Sequence, residues 1–227
     1  MNSGSDPRPG GEEPEAAGFV LAGGLSSRMG ADKALELLDG RPLVAWALSV
    51  LRQAGLRASI AGALSSLTAF APLVEDSQPG RGPLGGICAA LDSTAASLSV
   101  FVPVDLPLLP PSLIVHLVGH AQVTGRAVTL CSANGFAQTF PAVVSRAALP
   151  VLAKQLESGE GGCLSAFQSA ASRLEQPMTV LPVEYLVQTG HATHPQGLPA
   201  ALWFLNVNAP QDLRRAEHFL RGSRRVS

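Results

Sequence analysis

The sequence predicts an α/β protein, a mostly parallel sheet with helices on both faces, and three observations carry this. Short apolar runs of strand length alternate with longer helical stretches from Gly18 onward, the order that parallel sheets with crossover helices require. The runs GFVLA (18–22) and LSVFVPV (98–104) are continuously apolar rather than alternating, as expected of strands covered on both faces. Hydrophobic residues make up 46% of the chain and charged ones 15%, a balance that supports a packed core over disorder.

Residues 1–16 are rich in Gly, Pro and charge and contain no apolar run, so they read as a disordered leader and not as a signal peptide. Residues 17–222 read as one domain, since no repeat or composition break divides them. GFVLA is the first strand. A glycine-rich loop, a short ALELL piece (34–38) and a DGRP turn (39–42) follow. Pro42 then opens a helix, PLVAWALSVLRQAG, that Gly55 stops. RASIAG (57–62) and PLVE (72–75) are candidate strands with a short helix over 64–70 between them. The loop DSQPGRGPLGG (76–86) runs into a helix, ICAALDSTA (87–95). LSVFVPV is the next strand, and Pro110-Pro111 open a helix reaching Ala121. Strands are expected near 127–130 and 138–144, helices near 146–157 and 164–172, and a strand at MTVLPV (178–183). A loop over 190–199, a strand WFLNV (203–207) and a closing helix over 208–222 complete the pattern.

A formal net charge of -1 leaves no electrostatic footprint for nucleic acid or an anionic membrane, so anion recognition must rest on individual cations. No window approaches the roughly 18 apolar residues of a membrane span, and the reading is a cytoplasmic protein. Cys88, Cys131 and Cys163 are far apart without CxxC spacing, which suits buried free thiols better than a disulfide framework or zinc site.

In a doubly wound sheet, ligands sit beyond the carboxyl ends of the strands, and four segments fall there. In LAGGLSSRMGADKAL (21–35) the pair Gly23-Gly24 lets backbone N–H groups approach an anion. Arg28 and Lys33 could there reach different phosphates of one polyphosphate. Neither GxxxxGK[ST] nor GxGxxG is present, and a plain strand-to-helix turn accounts for the same glycines. In FVPVDLP (101–107) Asp105 ends a strand, the place for a ligand to nucleotide-bound Mg²⁺, which takes only one or two protein carboxylates. The alternative is a cap for the helix near Pro110, five residues on. In VEDSQPGRGPLGG (74–86) Asp76 and Gly82 to Gly86, Gly85 among them, could read a nucleobase or ribose, although a tight surface turn has the same composition. In FLNVNAPQDL (204–213) Asn206 and Asn208 reach another strand end, where Asn208 could equally cap the last helix.

His116 and His120 lack the Glu of HExxH, and His191 and His194 lie in a loop, so surface or packing roles are expected for all four. No GxSxG or Cys/His pairing is present. Such sparse acid–base machinery suits phosphoryl chemistry. A phosphate monoester, with a second pKa of roughly 6, needs no general base as acceptor. Transfer at phosphorus then rests on alignment and charge neutralisation.

Taken in this order, LAGGLSSRMGADKAL, EDSQPGRGPLGG, FVPVDLPLL and LNVNAPQDL resemble the molybdenum cofactor guanylyltransferases of the nucleotidyltransferase superfamily. Sugar nucleotidyltransferases tend to show LAGGxGTRL, and related cytidylyltransferases LAAGxSxRMG without the Asp32-Lys33 that follows here. The resemblance implies a Rossmann-like three-layer α/β/α domain of the nucleotide-diphospho-sugar transferase type. It also implies GTP and Mg²⁺, with GMP passing to the terminal phosphate of molybdopterin and pyrophosphate leaving. By position, Leu21, Ala22, Gly23, Gly24, Lys33, Asp76, Gly82, Gly85 and Asp105 belong to the nucleotide site. Arg28, Lys33 and Asp105 are the catalytic set, and Asp105 with Asn208 holds the metal. Molybdoenzyme-maturation proteins are the further partners implied. Three departures stand out: Ile60-Ala61-Gly62-Ala63 where the family commonly has an asparagine near the base, Ala209 in place of its threonine, and a longer 184–202 loop. A cytidylyl or sugar-phosphate transferase and a non-catalytic nucleotide-binding module are the alternatives.

Overall fold

The first apolar run forms a strand as expected, β1 (Ala16–Leu21), beginning two residues earlier than predicted and taking in the last residue assigned to the leader. A computed structural model of the chain describes residues 15–22, 30–62, 65–76, 81–159 and 161–223. After β1 come α1 (Gly30–Leu35), β2 (Leu37–Leu38), β3 (Arg41–Pro42), α2 (Leu43–Gln53), β4 (Arg57–Ala61), β5 (Leu73–Val74), α3 (Pro83–Ser93) and β6 (Leu98–Pro103). The second half holds α4 (Pro111–Thr124), β7 (Val128–Ala133), β8 (Phe136–Ser145), α5 (Leu149–Ser158), α6 (Cys163–Arg173), β9 (Thr179–Pro182), α7 (Val183–Gln188), α8 (Ala200–Trp203) and α9 (Pro210–Ser223). Seven strands form one sheet in the order β5-β4-β1-β6-β8-β7-β9. Only β8 runs antiparallel to its neighbours.

Antiparallel β8 has a local cause. Asn134 and Gly135, between β7 and β8, have φ of 52° and 80°, the left-handed pair of a two-residue hairpin turn. Asp39 and Gly40, with φ of 51° and 77°, do the same for the small β2–β3 hairpin.

Period-two alternation divides the core between the two faces of the sheet. Ala16, Val20 and Ala22 of the first strand and its exit pack with Val100, Val102 and the buried faces of α2, α4 and α9. Ala17, Phe19 and Leu21 pack on the other side with Phe101, α3, α5 and α6. Phe19 and Phe101 are paired in register and stack at 5.7 Å. Gly18 lies under α2, where a Cβ would come within 3.2 Å of the Leu51 methyls. The result is the predicted three-layer arrangement. Among the described residues no helix is long and apolar enough to cross a membrane.

Residues 203–207, predicted as a strand, are not one. Ala200–Trp203 is a single helical turn, and the Val207 N–H donates to the Asp105 carbonyl at 2.9 Å instead of joining a ladder. Trp203 decides this: its side chain is buried and its indole N–H donates to the Leu198 carbonyl at 2.8 Å, which anchors the segment as a loop crossing the core. α7, directly after β9, was not anticipated. The helix expected over 146–157 divides into a 3₁₀ turn at Arg146–Ala148 and α5.

Three of the four histidines considered make ring contacts. His116 and His191 stack at 4.9 Å, and His194 lies 6.4 Å from the Trp203 ring. His194 Nδ1 accepts the Gln196 N–H at 3.1 Å. Burial pushes its imidazole down from 6.5 to about 4, against an opposing backbone hydrogen bond at Leu108. As pH falls through this window the unfolded chain takes up the proton first, so stability present above about 6.5 is lost progressively towards 4. Thermal melts are expected to show Tm falling across this interval, and His194→Gln is expected to flatten that part of the slope. Burial likewise pushes the thiols of Cys88 and Cys163 up to about 11 and that of Cys131 to about 12, the direction that disfavours the nucleophilic thiolate.

Candidate active site

Asp105 stands two residues beyond the end of β6, and three chain segments meet around it. The Val104 N–H donates to the Leu21 carbonyl at 3.2 Å, joining the exits of β1 and β6, and the Asp105 carbonyl accepts the Val207 N–H. This last bond fixes the following residue, Asn208, beside Asp105. α4 has Pro110 at its N-cap and no side-chain cap, so Asp105 does not serve as its cap.

Lys33, in the last turn of α1, completes the group. Its Nζ lies 3.3 Å from Asp105 Oδ2 and 2.7 Å from Asn208 Oδ1. Its side chain is 16% exposed and that of Asp105 27%, a partly dry setting in which charge–charge contacts are stronger than in bulk water. Residues 72 and 175 positions apart thus converge at the carboxyl edge of the sheet. Asn206 is exposed and does not join them.

Asn208 does not cap α9 with its side chain, as the sequence allowed. Asp212 does that work: its Oδ2 accepts the N–H groups of Asn208 and Ala209, both at 2.9 Å. Asn208 Oδ1 is thereby left for Lys33. Asp212 is a positioning residue that the sequence reading missed, and its signal was an acidic side chain in the first turn of a helix.

The second half of the site lies across the β1 exit. Gly82 precedes α3 with φ of 70°, a left-handed conformation that disfavours any side chain. The Asp76 carboxylate rests on Gly85 in the first turn, where a Cβ would lie 2.5 and 2.7 Å from its two oxygens. A Cβ at neighbouring Gly86 would lie 3.6 Å from Ala61 and 3.8 Å from Leu21, so the start of α3 covers the ends of β1 and β4. Adjacent strands are about 4.8 Å apart. The Asp76–Gly85 pair and the Lys33 group therefore flank the β1 exit from the β4 and β6 sides.

Two backbone groups assigned to the nucleotide are engaged in the sheet. The Ala22 N–H donates to the Ala61 carbonyl at 3.0 Å, and the Leu21 carbonyl accepts from Val104. Their contribution is to aim the chain that follows. Gly23, Gly24 and Arg28 lie outside the described residues.

Asp105 Oδ2 and Asn208 Oδ1 converge on the Lys33 ammonium, and both are hard oxygen donors of the kind that Mg²⁺ takes, although no group of three or more His, Cys, Asp or Glu that could hold a metal occurs among the described residues. A doubly wound sheet with Lys, Asp and Asn at this edge, flanked by a glycine-opened helix start, is the framework of a nucleotidyltransferase. Residues 18–177 match the MobA-like NTP transferase domain, and the chain belongs to that family. A molybdenum cofactor guanylyltransferase of Cereibacter sphaeroides is 33% identical over 218 residues, covering 90% of this chain and 96% of the relative. A probable molybdenum cofactor guanylyltransferase of Haloferax mediterranei is 32% identical over 209 residues, covering 87% and 91%. The crystal structure of molybdopterin-guanine dinucleotide biosynthesis protein A from Archaeoglobus fulgidus superposes with a TM-score of 0.70 at 22% identity, over 91% of this chain and 99% of that one. That likeness shows the nucleotide-diphospho-sugar transferase fold.

Proposed function

We propose that this nucleotidyltransferase moves GMP from GTP, with Mg²⁺, to the terminal phosphate of molybdopterin and releases pyrophosphate. The observation that carries the reading is the convergence of Lys33, Asp105 and Asn208 at the carboxyl edge of the sheet, in a chain related over most of its length to guanylyltransferases. A cytoplasmic setting and hand-over to molybdoenzyme-maturation proteins complete the reading.

In the reaction an oxygen of the acceptor phosphate bonds to the α-phosphorus of GTP while the bond to the β-phosphate bridging oxygen breaks. The acceptor is already deprotonated, so the chain needs no base. Lys33 and Arg28 neutralise the triphosphate, and Asp105 with Asn208 would hold Mg²⁺, which supplies charge neutralisation on the phosphate oxygens. The Asp76 carboxylate is the acceptor that guanine's N1–H and 2-amino group require. It takes over from the family's asparagine, whose place falls within Ile60-Ala61-Gly62-Ala63, where Ile60 and Ala61 are buried in β4.

A thermal-shift panel tests this. At a hundredfold excess over Kd a cognate ligand stabilises by about 2.7 kcal/mol, or about 5–11 °C for a chain of this size. GTP with Mg²⁺ is expected to reach this shift and CTP, ATP and UTP to fall well short, with pyrophosphate released only when molybdopterin is added. A larger shift with CTP would overturn the base assignment. Gly85→Ala places a Cβ 2.5 Å from the Asp76 carboxylate, drives that carboxylate off its seat, and is expected to lower GTP affinity about tenfold.

A further inference from the structure

We infer that the Lys33 ammonium holds the divalent-cation position closed until nucleotide arrives, so that metal and nucleotide bind only as a coupled pair. The inference rests on the proposed nucleotide reading and adds to it the order in which the site fills.

Three observations lead here. First, Lys33 Nζ contacts Asp105 Oδ2 and Asn208 Oδ1 together, at 3.3 and 2.7 Å. These are the two oxygens that a hard cation would take, and Mg²⁺ needs ligand oxygens at about 2.0–2.1 Å. An ammonium and a divalent ion cannot both occupy that gap, and their like charges repel at such range. Second, the backbone that bears the two oxygens is tied down. The Asp105 carbonyl accepts the Val207 N–H, and the Asn208 N–H donates to Asp212 Oδ2. Lys33 reaches the pair from a separate six-residue helix on a flexible four-carbon stem. Third, among the described residues the contacts of Nζ apart from Asp105 are to a neutral amide. When the ammonium is displaced it loses a carboxylate, and the compensating anion is the triphosphate.

Free metal must therefore compete with a tethered cation, whereas metal arriving with GTP brings the ammonium its new partner. The same residue opposes metal alone and favours metal with nucleotide. By linkage, metal raises nucleotide affinity by the factor by which nucleotide raises metal affinity.

The test is the sign of one mutation in two binding measurements. Mn²⁺ affinity is read by electron paramagnetic resonance or calorimetry, alone and with a non-hydrolysable GTP analogue, for the parent chain and for Lys33→Met. Lys33→Met is expected to bind Mn²⁺ alone at least tenfold more tightly than the parent and Mn²⁺ with the analogue more weakly. Lys33→Ala serves as a second variant should the longer apolar side chain disturb folding, as checked by thermal melts. If Mn²⁺ binds alone no more tightly to the variants than to the parent, the ammonium is not a gate and the inference fails, even where the analogue still binds. If the parent binds no Mn²⁺–analogue at all, it is the nucleotide reading that fails.

Discussion

Asp105→Ala is expected to lower kcat/KM for pyrophosphate release by about a hundred- to a thousandfold, the range for removing one group that stabilises charge in the transition state. Its carboxylate is the ionic partner of Lys33 and, with Asn208, supplies the oxygens of the proposed cation position. Removing it leaves Asn208 as a single neutral donor and leaves the Lys33 ammonium without its counter-charge. The fold should tolerate the change. The side chain is 27% exposed, and the bonds joining β1, β6 and the approach to α9 at this point use backbone atoms, not the carboxylate. Thermal melts are therefore expected to move little while activity collapses. Asp105→Asn, which keeps shape but loses charge, should fall nearly as far. Full turnover of Asp105→Ala with Mg²⁺ would show that the assignment is wrong.

Trp203→Ala is expected to be the most destabilising single change near the site. Trp203 is 1% exposed, packs in the same core as α2, α4 and α9, and its indole N–H is bonded to Leu198. Truncating a buried aromatic of this size costs about 3–5 kcal/mol, or a fall in Tm of about 6–20 °C. Trp203→Phe keeps most of the apolar volume and loses mainly the hydrogen bond, worth about 1 kcal/mol. The functional consequence follows from the chain path. Trp203 anchors the loop that delivers Val207 to Asp105 and Asn208 to Lys33, so Trp203→Ala assayed below its melting point should also lose turnover. A variant that melts low but turns over at the parental rate would separate the anchor from the site.

Much of this architecture is legible along the chain, because strand burial on two faces leaves continuous apolar runs and glycine and proline mark their ends. Gly55 follows the end of α2 as expected, whereas α4 runs past the expected Ala121 to Thr124 before Gly125 caps it, and the β1 and β6 runs lie as predicted within two residues. The errors fall where local pattern and tertiary contact disagree. Trp203 to Val207 carries strand-like residues, yet burial of one indole outweighs ladder formation. The reversed direction of β8 turns on two residues, Asn134 and Gly135, whose left-handed preference is easily overlooked between longer runs.

Residue types and their order along the chain were enough to determine the sheet class and the carboxyl-edge location of Lys33, Asp76, Asp105 and Asn208. Only the tertiary structure decided that Lys33 bridges Asp105 and Asn208, that Asp212 and not Asn208 caps α9, and that Asp76 is seated on Gly85. Periodicity reports which face of an element is buried. It carries no information on which side chains far apart in sequence end within hydrogen-bonding reach of one another, and that is where this site is made.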